Sequence, residues 1–263
     1  MELHYQLSGA GQPLVILHGL FGSLDNWRGI AKQLSEDVQV ITVDLRNHGR
    51  SPHSDRQDYA LMVADLKQLL ADLNLEKIDL IGHSIGGKVA MAFAHVYPET
   101  LNRLMVVDIA PRQYPDEHSQ IFQSLLTIDL PLYQKRSEVD QALEQTIKDK
   151  AVRQFLLMNL NQNNEGLSWR MNLPALQQNY PKLLESVGQD SSVHIPACFV
   201  KGGRSSYIKQ DDEDLIKILF PEAEIVSIAG AGHWLHAEAP VEFLNIVRSF
   251  FAYASPKTTK TVN

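Results

Sequence analysis

Through the first hundred residues, short and almost unbroken apolar runs alternate with longer segments in which apolar positions recur three and four apart. The runs Leu14 to Leu17, Val38 to Val43, Ile78 to Ile81 and Leu104 to Val107 are hydrophobic on both faces a strand presents, the pattern of parallel strands covered on each side. Between them, Tyr59, Met62, Val63, Leu66, Leu69, Leu70 and Leu73 fall on one face of a helix, with Asp65, Lys67, Gln68 and Asp72 elsewhere. Such alternation predicts an α/β fold built on a mostly parallel central sheet flanked by helices.

The pattern breaks after Asp108. Residues 111–181 are polar, rich in Gln, Asn and Glu, punctuated by Pro111, Pro115, Pro131 and Pro174, and contain no strong strand run. They read as a helical cap inserted into a core formed by residues 1–110 and 182–263. The alternation resumes at Ile195 to Val200 and Glu224 to Ile228, and a helix from about Pro240 to Tyr253 follows. The tail 255–263 is expected to fray.

Composition narrows the function classes. In 263 residues, 24 Lys and Arg stand against 31 Asp and Glu, a net charge of −7, with no basic run to grip a phosphate backbone. Nucleic acid is therefore not an expected partner. No stretch approaches the roughly 20 apolar residues of a membrane span, and the N-terminus lacks a basic region followed by an apolar one, so the expected location is cytoplasmic. The single cysteine, Cys198, lies in an apolar run and is expected in the core.

Gly82-His83-Ser84-Ile85-Gly86-Gly87 is the sharpest chemical motif: G-x-S-x-G, after a strand and before a helix. The glycines permit a tight turn that projects the Ser84 hydroxyl at the C-terminal edge of the sheet. A serine nucleophile needs a base and a group to orient it. His233, in Gly230-Ala231-Gly232-His233-Trp234, follows a strand on a glycine-flexed loop and is the expected base; His236 is the weaker alternative. His83 is expected to be structural. His18, in His18-Gly19-Leu20-Phe21-Gly22 after an early strand, is expected to tie loops together beneath the site. An oxyanion needs N–H donors, and those expected are the backbone of Ile85 and Leu20, with Phe21 as the alternative to Leu20.

Taken with Asn26 and Trp27, Asp44-Leu45-Arg46-Asn47-His48-Gly49-Arg50-Ser51 and Val107-Asp108-Ile109-Ala110-Pro111, these motifs resemble the α/β-hydrolase fold and, over nearly the whole chain, the YbfF-type bacterial esterases. The commonest pattern of the fold places an aspartate in Gly-x-x-Asp after the strand that follows Ile-Pro. Here Gly202-Gly203-Arg204-Ser205 has serine there. Asp108, ending the strand after the nucleophile helix, is the expected acid. The resemblance implies the same relocation, with Ser205 as a helper, while Asp211 and Asp212 remain rivals. Asp44 is expected to pair with Arg46.

The resemblance implies hydrolysis of short-chain acyl esters, extending to acyl-CoA thioesters, through an acyl-enzyme and without cofactor or metal. Phe21, Trp169, Tyr207 and Trp234 are the expected substrate contacts, and Met171, Leu173, Leu176 and Tyr180 are candidates for the roof. Arg46, Arg50, Arg112 and Arg204 are the candidate cations for a CoA phosphate. Carbon-carbon bond hydrolases, lyases and perhydrolases share the same triad and stay open, as does a non-catalytic binding role.

Overall fold

The structure is a computed structural model that describes residues 1–164, 166–188 and 191–253, so the expected tail lies outside the described residues. The strands are β1 (Tyr5–Ser8), β2 (Pro13–Leu17), β3 (Gln39–Val43), β4 (Ile78–His83), β5 (Leu101–Val107), β6 (Leu160–Asn163), β7 (Gly166–Trp169), β8 (Ala197–Gly202) and β9 (Ala223–Ile228). The α-helices are α1 (Arg28–Leu34), α2 (Tyr59–Asp72), α3 (Ile85–Val96), α4 (Ser119–Leu126), α5 (Arg136–Leu143), α6 (Lys150–Leu157), α7 (Leu173–Leu184), α8 (Gln210–Leu219), α9 (Leu235–Glu238) and α10 (Pro240–Phe251).

Seven strands form the central sheet in the order β1-β3-β2-β4-β5-β8-β9, parallel throughout except for β1, which runs antiparallel to β3 at the edge. Both faces are buried, which is why the central runs are continuously apolar. Val15, Leu17, Leu80, Leu104, Val106 and Phe199 face one hydrophobic layer. Their neighbours Leu14, Ile16, Ile81, Met105, Val107, Cys198 and Val200 face the other. Residues two apart share a face because a strand repeats every two residues. Cys198 is fully buried, as expected.

Between β5 and β8 the chain forms α4 to α7 and a two-stranded hairpin, β6 with β7. The hairpin departs from the expectation of helices alone. Its strands read Leu-Asn-Gln-Asn and Gly-Leu-Ser-Trp, with Leu167 alone fully buried, so it carries no apolar run to announce it. The segment is not a separate hydrophobic unit. Phe122, Leu125, Val139, Leu143, Leu156, Leu176, Tyr180 and Leu183 join the same apolar layer as α2, α3 and one face of the sheet.

Candidate active site

Every strongly predicted site residue lies where a parallel strand ends. Ser84 links β4 to α3 with φ 53° and ψ −120°, a left-handed φ at a non-glycine residue. The turn closes because its glycines leave room. A Cβ on Gly82 would lie 2.2 Å from the Gly86 carbonyl oxygen, and one on Gly86 would lie 2.5 Å from that of His18. The Ser84 N–H donates to the Val107 carbonyl at 3.0 Å, fixing the elbow to the end of β5. Its hydroxyl makes no hydrogen bond among the described residues and borders two cavities.

Asp108 follows β5, also at positive φ (52°), and its N–H donates to Val200 at 2.8 Å. Its side chain is fully buried and fully used. Oδ1 accepts the Gly202 N–H at 3.0 Å; Oδ2 accepts the Ser205 hydroxyl and lies 2.7 Å from His233 Nδ1. Three loops, after β5, β8 and β9, thus meet at one carboxylate. Ser205 in turn accepts the Tyr207 N–H at 3.2 Å, and the Tyr207 ring stacks on the His233 imidazole, 3.9 Å between centroids and 17° between planes. Tyr114 secures that arrangement from the start of the insert: its hydroxyl accepts the Ala110 N–H at 2.8 Å and donates to the Tyr207 carbonyl at 2.5 Å.

The alternatives fall away by position. Asp212 caps its own helix by accepting the Lys209 N–H and pairs with Arg112 at 2.8 Å, and Asp211 is exposed on α8. His236 stacks on Trp27, 4.2 Å apart and 9° from parallel, and burial, aided by the charge of His233, pushes its pKa down to about 3. His83 is buried with Nε2 2.9 Å from the His233 carbonyl, which ties it to the loop that carries His233. His18 Nε2 accepts the Leu45 N–H at 3.0 Å, so Nδ1 carries the proton and donates to Gly19 at 2.8 Å. It ties two loops together.

The expected Asp44–Arg46 pair is not formed. Asp44 accepts the backbone N–H groups of Leu24 and Arg50, both at 2.8 Å, while Arg46 makes a two-pronged ion pair with Asp65 at 2.6 and 2.8 Å. Residues 44 and 46 share a local sequence but the turn at Asn47 to Gly49 folds the backbone onto the Asp44 carboxylate.

Two cavities meet at the elbow, sharing Leu20, Ser84, His118 and Tyr207. One is lined by Phe21, Ile121, Val152, Phe155, Leu156 and Trp234 and also by His233. The other is bordered by Ile85, Lys88, Ile109, Tyr114, Tyr180 and Leu183. Among the described residues the N–H groups of Leu20, Phe21 and Ile85 have no acceptor, that of Ile85 because it opens α3. Phe21, Tyr207 and Trp234 line the cavities. Trp169 does not: it packs against the core from β7 and borders neither cavity, and Met171, Leu173 and Leu176 are likewise core residues, leaving Tyr180 as the one roof candidate that reaches the space.

The arginines singled out for a CoA phosphate are all engaged by carboxylates. Arg46 meets Asp65, Arg50 and Asp25 approach to 3.9 Å, Arg112 meets Asp212 and Arg204 meets Glu238. The cation at the cavities is instead Lys88, buried on α3. Its Nζ donates to the Leu184 carbonyl at 3.2 Å and to that of Glu185, pinning the end of α7 to the elbow helix, and burial pushes its pKa down to about 7. Lys88, Tyr114 and His118 carry no signal of their role in the sequence, because their partners lie far along the chain.

A family described as the alpha/beta hydrolase fold matches residues 12–240. The chain is 40% identical to the sn-1-specific diacylglycerol lipase ABHD11 of Danio rerio over 251 residues, covering 92% of this chain and 79% of that protein. It is 36% identical to the esterase YbfF of Escherichia coli, covering 90% and 91%. The solved structure of a marine microorganism esterase superposes with a TM-score of 0.92 at 41% identity, covering 95% of this chain and 99% of that one. No helix of the described residues is long and apolar enough to cross a membrane.

Proposed function

Because the chain belongs to the α/β-hydrolase family, we propose that it hydrolyses carboxylic esters through an acyl-enzyme on Ser84. The observation that carries the reading is the 2.7 Å contact between His233 Nδ1 and the buried Asp108 carboxylate, at a cavity that Ser84 and His233 both line. Relatives named as esterases and a lipase support the ester as substrate class.

In this reading His233 Nε2 takes the Ser84 proton as Oγ attacks the acyl carbon. Asp108 keeps the imidazole oriented and balances the imidazolium, with Ser205 and Gly202 holding the carboxylate. The N–H groups of Ile85 and Leu20 receive the oxyanion. His233 then hands the proton to the departing alcohol oxygen, and water repeats the sequence to free the acid. The insert, residues 111–181, roofs the site. Oxyesters of short acyl chains suit it better than CoA thioesters, since every candidate phosphate-binding arginine is already paired.

Turnover of p-nitrophenyl acetate and butyrate by folded variants tests this. Ser84→Ala is expected to lose at least about a thousandfold in kcat and Asp108→Asn about a hundredfold or more. Ser205→Ala should lose less, on the order of tenfold, because it removes one of several hydrogen bonds to Asp108. Asp211→Asn should match wild type. Full activity in Ser84→Ala would sink the acyl-enzyme, and a collapse confined to Asp211→Asn would move the acid to the later loop.

A further inference from the structure

The residue at the junction of the two cavities that the proposed chemistry leaves idle is His118, which enters from the insert just before α4. Its ring is held by two aromatic residues. Tyr180 meets it edge-on, 5.8 Å between centroids, with the phenol oxygen 2.8 Å from Nδ1, and Phe21 lies 6.0 Å away. The Tyr180 oxygen accepts the Glu117 N–H at 3.4 Å. A phenol that donates to Nδ1 leaves the ring proton on Nε2. Nε2 makes no hydrogen bond among the described residues, and the His118 side chain lines both cavities. Burial, together with the charge of His233 and against that of Asp116, pushes the His118 pKa down to about 4, so the ring is neutral near pH 7 and does not oppose an imidazolium on His233.

The proposed reaction gives the two cavities different tenants. A base that protonates the leaving oxygen must have the alcohol on its own side, and His233 borders only the cavity of Phe155 and Trp234. The acyl group then occupies the cavity of Lys88 and Tyr114. A donor at the junction lies within a few bonds of the ester.

Resting on the ester hydrolase reading, we propose that His118 is a substrate-binding residue whose Nε2–H donates to a second oxygen on the alcohol, making esters of oxygen-bearing alcohols the preferred class. Apart from His83, Ser84, Tyr207 and His233, the Phe155 and Trp234 cavity is lined by apolar groups, so an oxygen placed away from those four without this donor would lose its hydration without replacement.

The test compares 2-hydroxyethyl butyrate with its near-isostere propyl butyrate, taking the ratio of their kcat/KM values. Wild type should favour the hydroxyethyl ester. His118→Phe, which keeps a ring against Phe21 and Tyr180, should lower the ratio about fivefold. His118→Gln, which keeps a donor near the position of Nε2, should hold most of the ratio. Tyr180→Phe, which frees the tautomer, should lower it partly and serves as the second variant if His118→Phe fails to fold. An unchanged ratio in folded His118→Phe, or a Gln variant as poor as Phe, overturns the proposal. Either result leaves the hydrolase reading standing, since that depends on Ser84→Ala and p-nitrophenyl butyrate.

Discussion

The His233 imidazole is held by two kinds of force at right angles: the Asp108 carboxylate in its plane and the Tyr207 ring on its face. The face contact blocks tilting and favours a cation forming on the imidazole, because an aromatic face is electron-rich. Tyr207→Leu is accordingly expected to lower kcat about three- to tenfold. Tyr207→Phe should stay near wild type, since the phenol oxygen makes no hydrogen bond among the described residues. Equal kcat in the Leu variant and wild type would reduce Tyr207 to a cavity wall. Residues of this kind mark the limit of reading a sequence. Ser84, Asp108 and His233 were legible because each ends a recognisable strand, so topology alone brings them to one edge. Trp169 and the Asp44–Arg46 pair were misread because side-chain direction and turn geometry, which decide both, leave no periodic trace. His118 and Tyr114 act through partners 62 and 93 positions away and gave no local signal at all.

Among elements, the join of β4 to α3 is the most tightly constrained. Gly86 lies where α3 approaches the end of β2, and its Cβ would meet the Leu17 and His18 carbonyl oxygens at 2.7 and 2.5 Å, both backbone atoms that cannot swing away. Gly86→Ala must push the helix off the sheet. We expect a loss of several kcal/mol, on the scale of overpacking at a site that cannot relax, with a clearly lower thermal midpoint and little ester turnover. A midpoint within 2 or 3 °C of wild type, roughly the reach of half a kcal/mol in a chain of this size, would show that the elbow has slack. The same logic explains which elements could be foreseen. β2 to β5 and β8 are covered by helices and so announce themselves as apolar runs, whereas β9, at the other edge, is buried only at its two ends. β1 sits at the edge with three exposed residues, and the β6–β7 hairpin is polar, so neither carries a burial signature.

On the scale of the whole molecule, several imidazoles are interior parts. Burial pushes the pKa of His18 down to about 4, and that of His48 and His236 down to about 3, with a neighbouring histidine adding to the effect in the last two. In the unfolded chain these groups take up protons below about pH 6.5, whereas in the folded chain they do not until about pH 4 or lower. The unfolded state therefore binds more protons across that window, and stability falls as pH drops from 6.5 toward 4, by on the order of 1–2 kcal/mol per imidazole at pH 5. Urea midpoints at pH 7.5 and 5.0 should separate clearly, and His236→Phe, which preserves a ring against Trp27, should narrow the gap. Coincident midpoints would mean that these side chains protonate in place.

The segment between β5 and β8 shares its apolar layer with α2, α3 and the sheet, and Lys88 fastens its far end to the elbow helix. A lid on a free hinge could be traded for another of different shape, as a lens is changed on a camera. Here the exchange would strip side chains from the interior that supports the nucleophile. Selection, and any engineer following it, is therefore confined to altering substrate choice one lining residue at a time, within a roof that also keeps the floor in place.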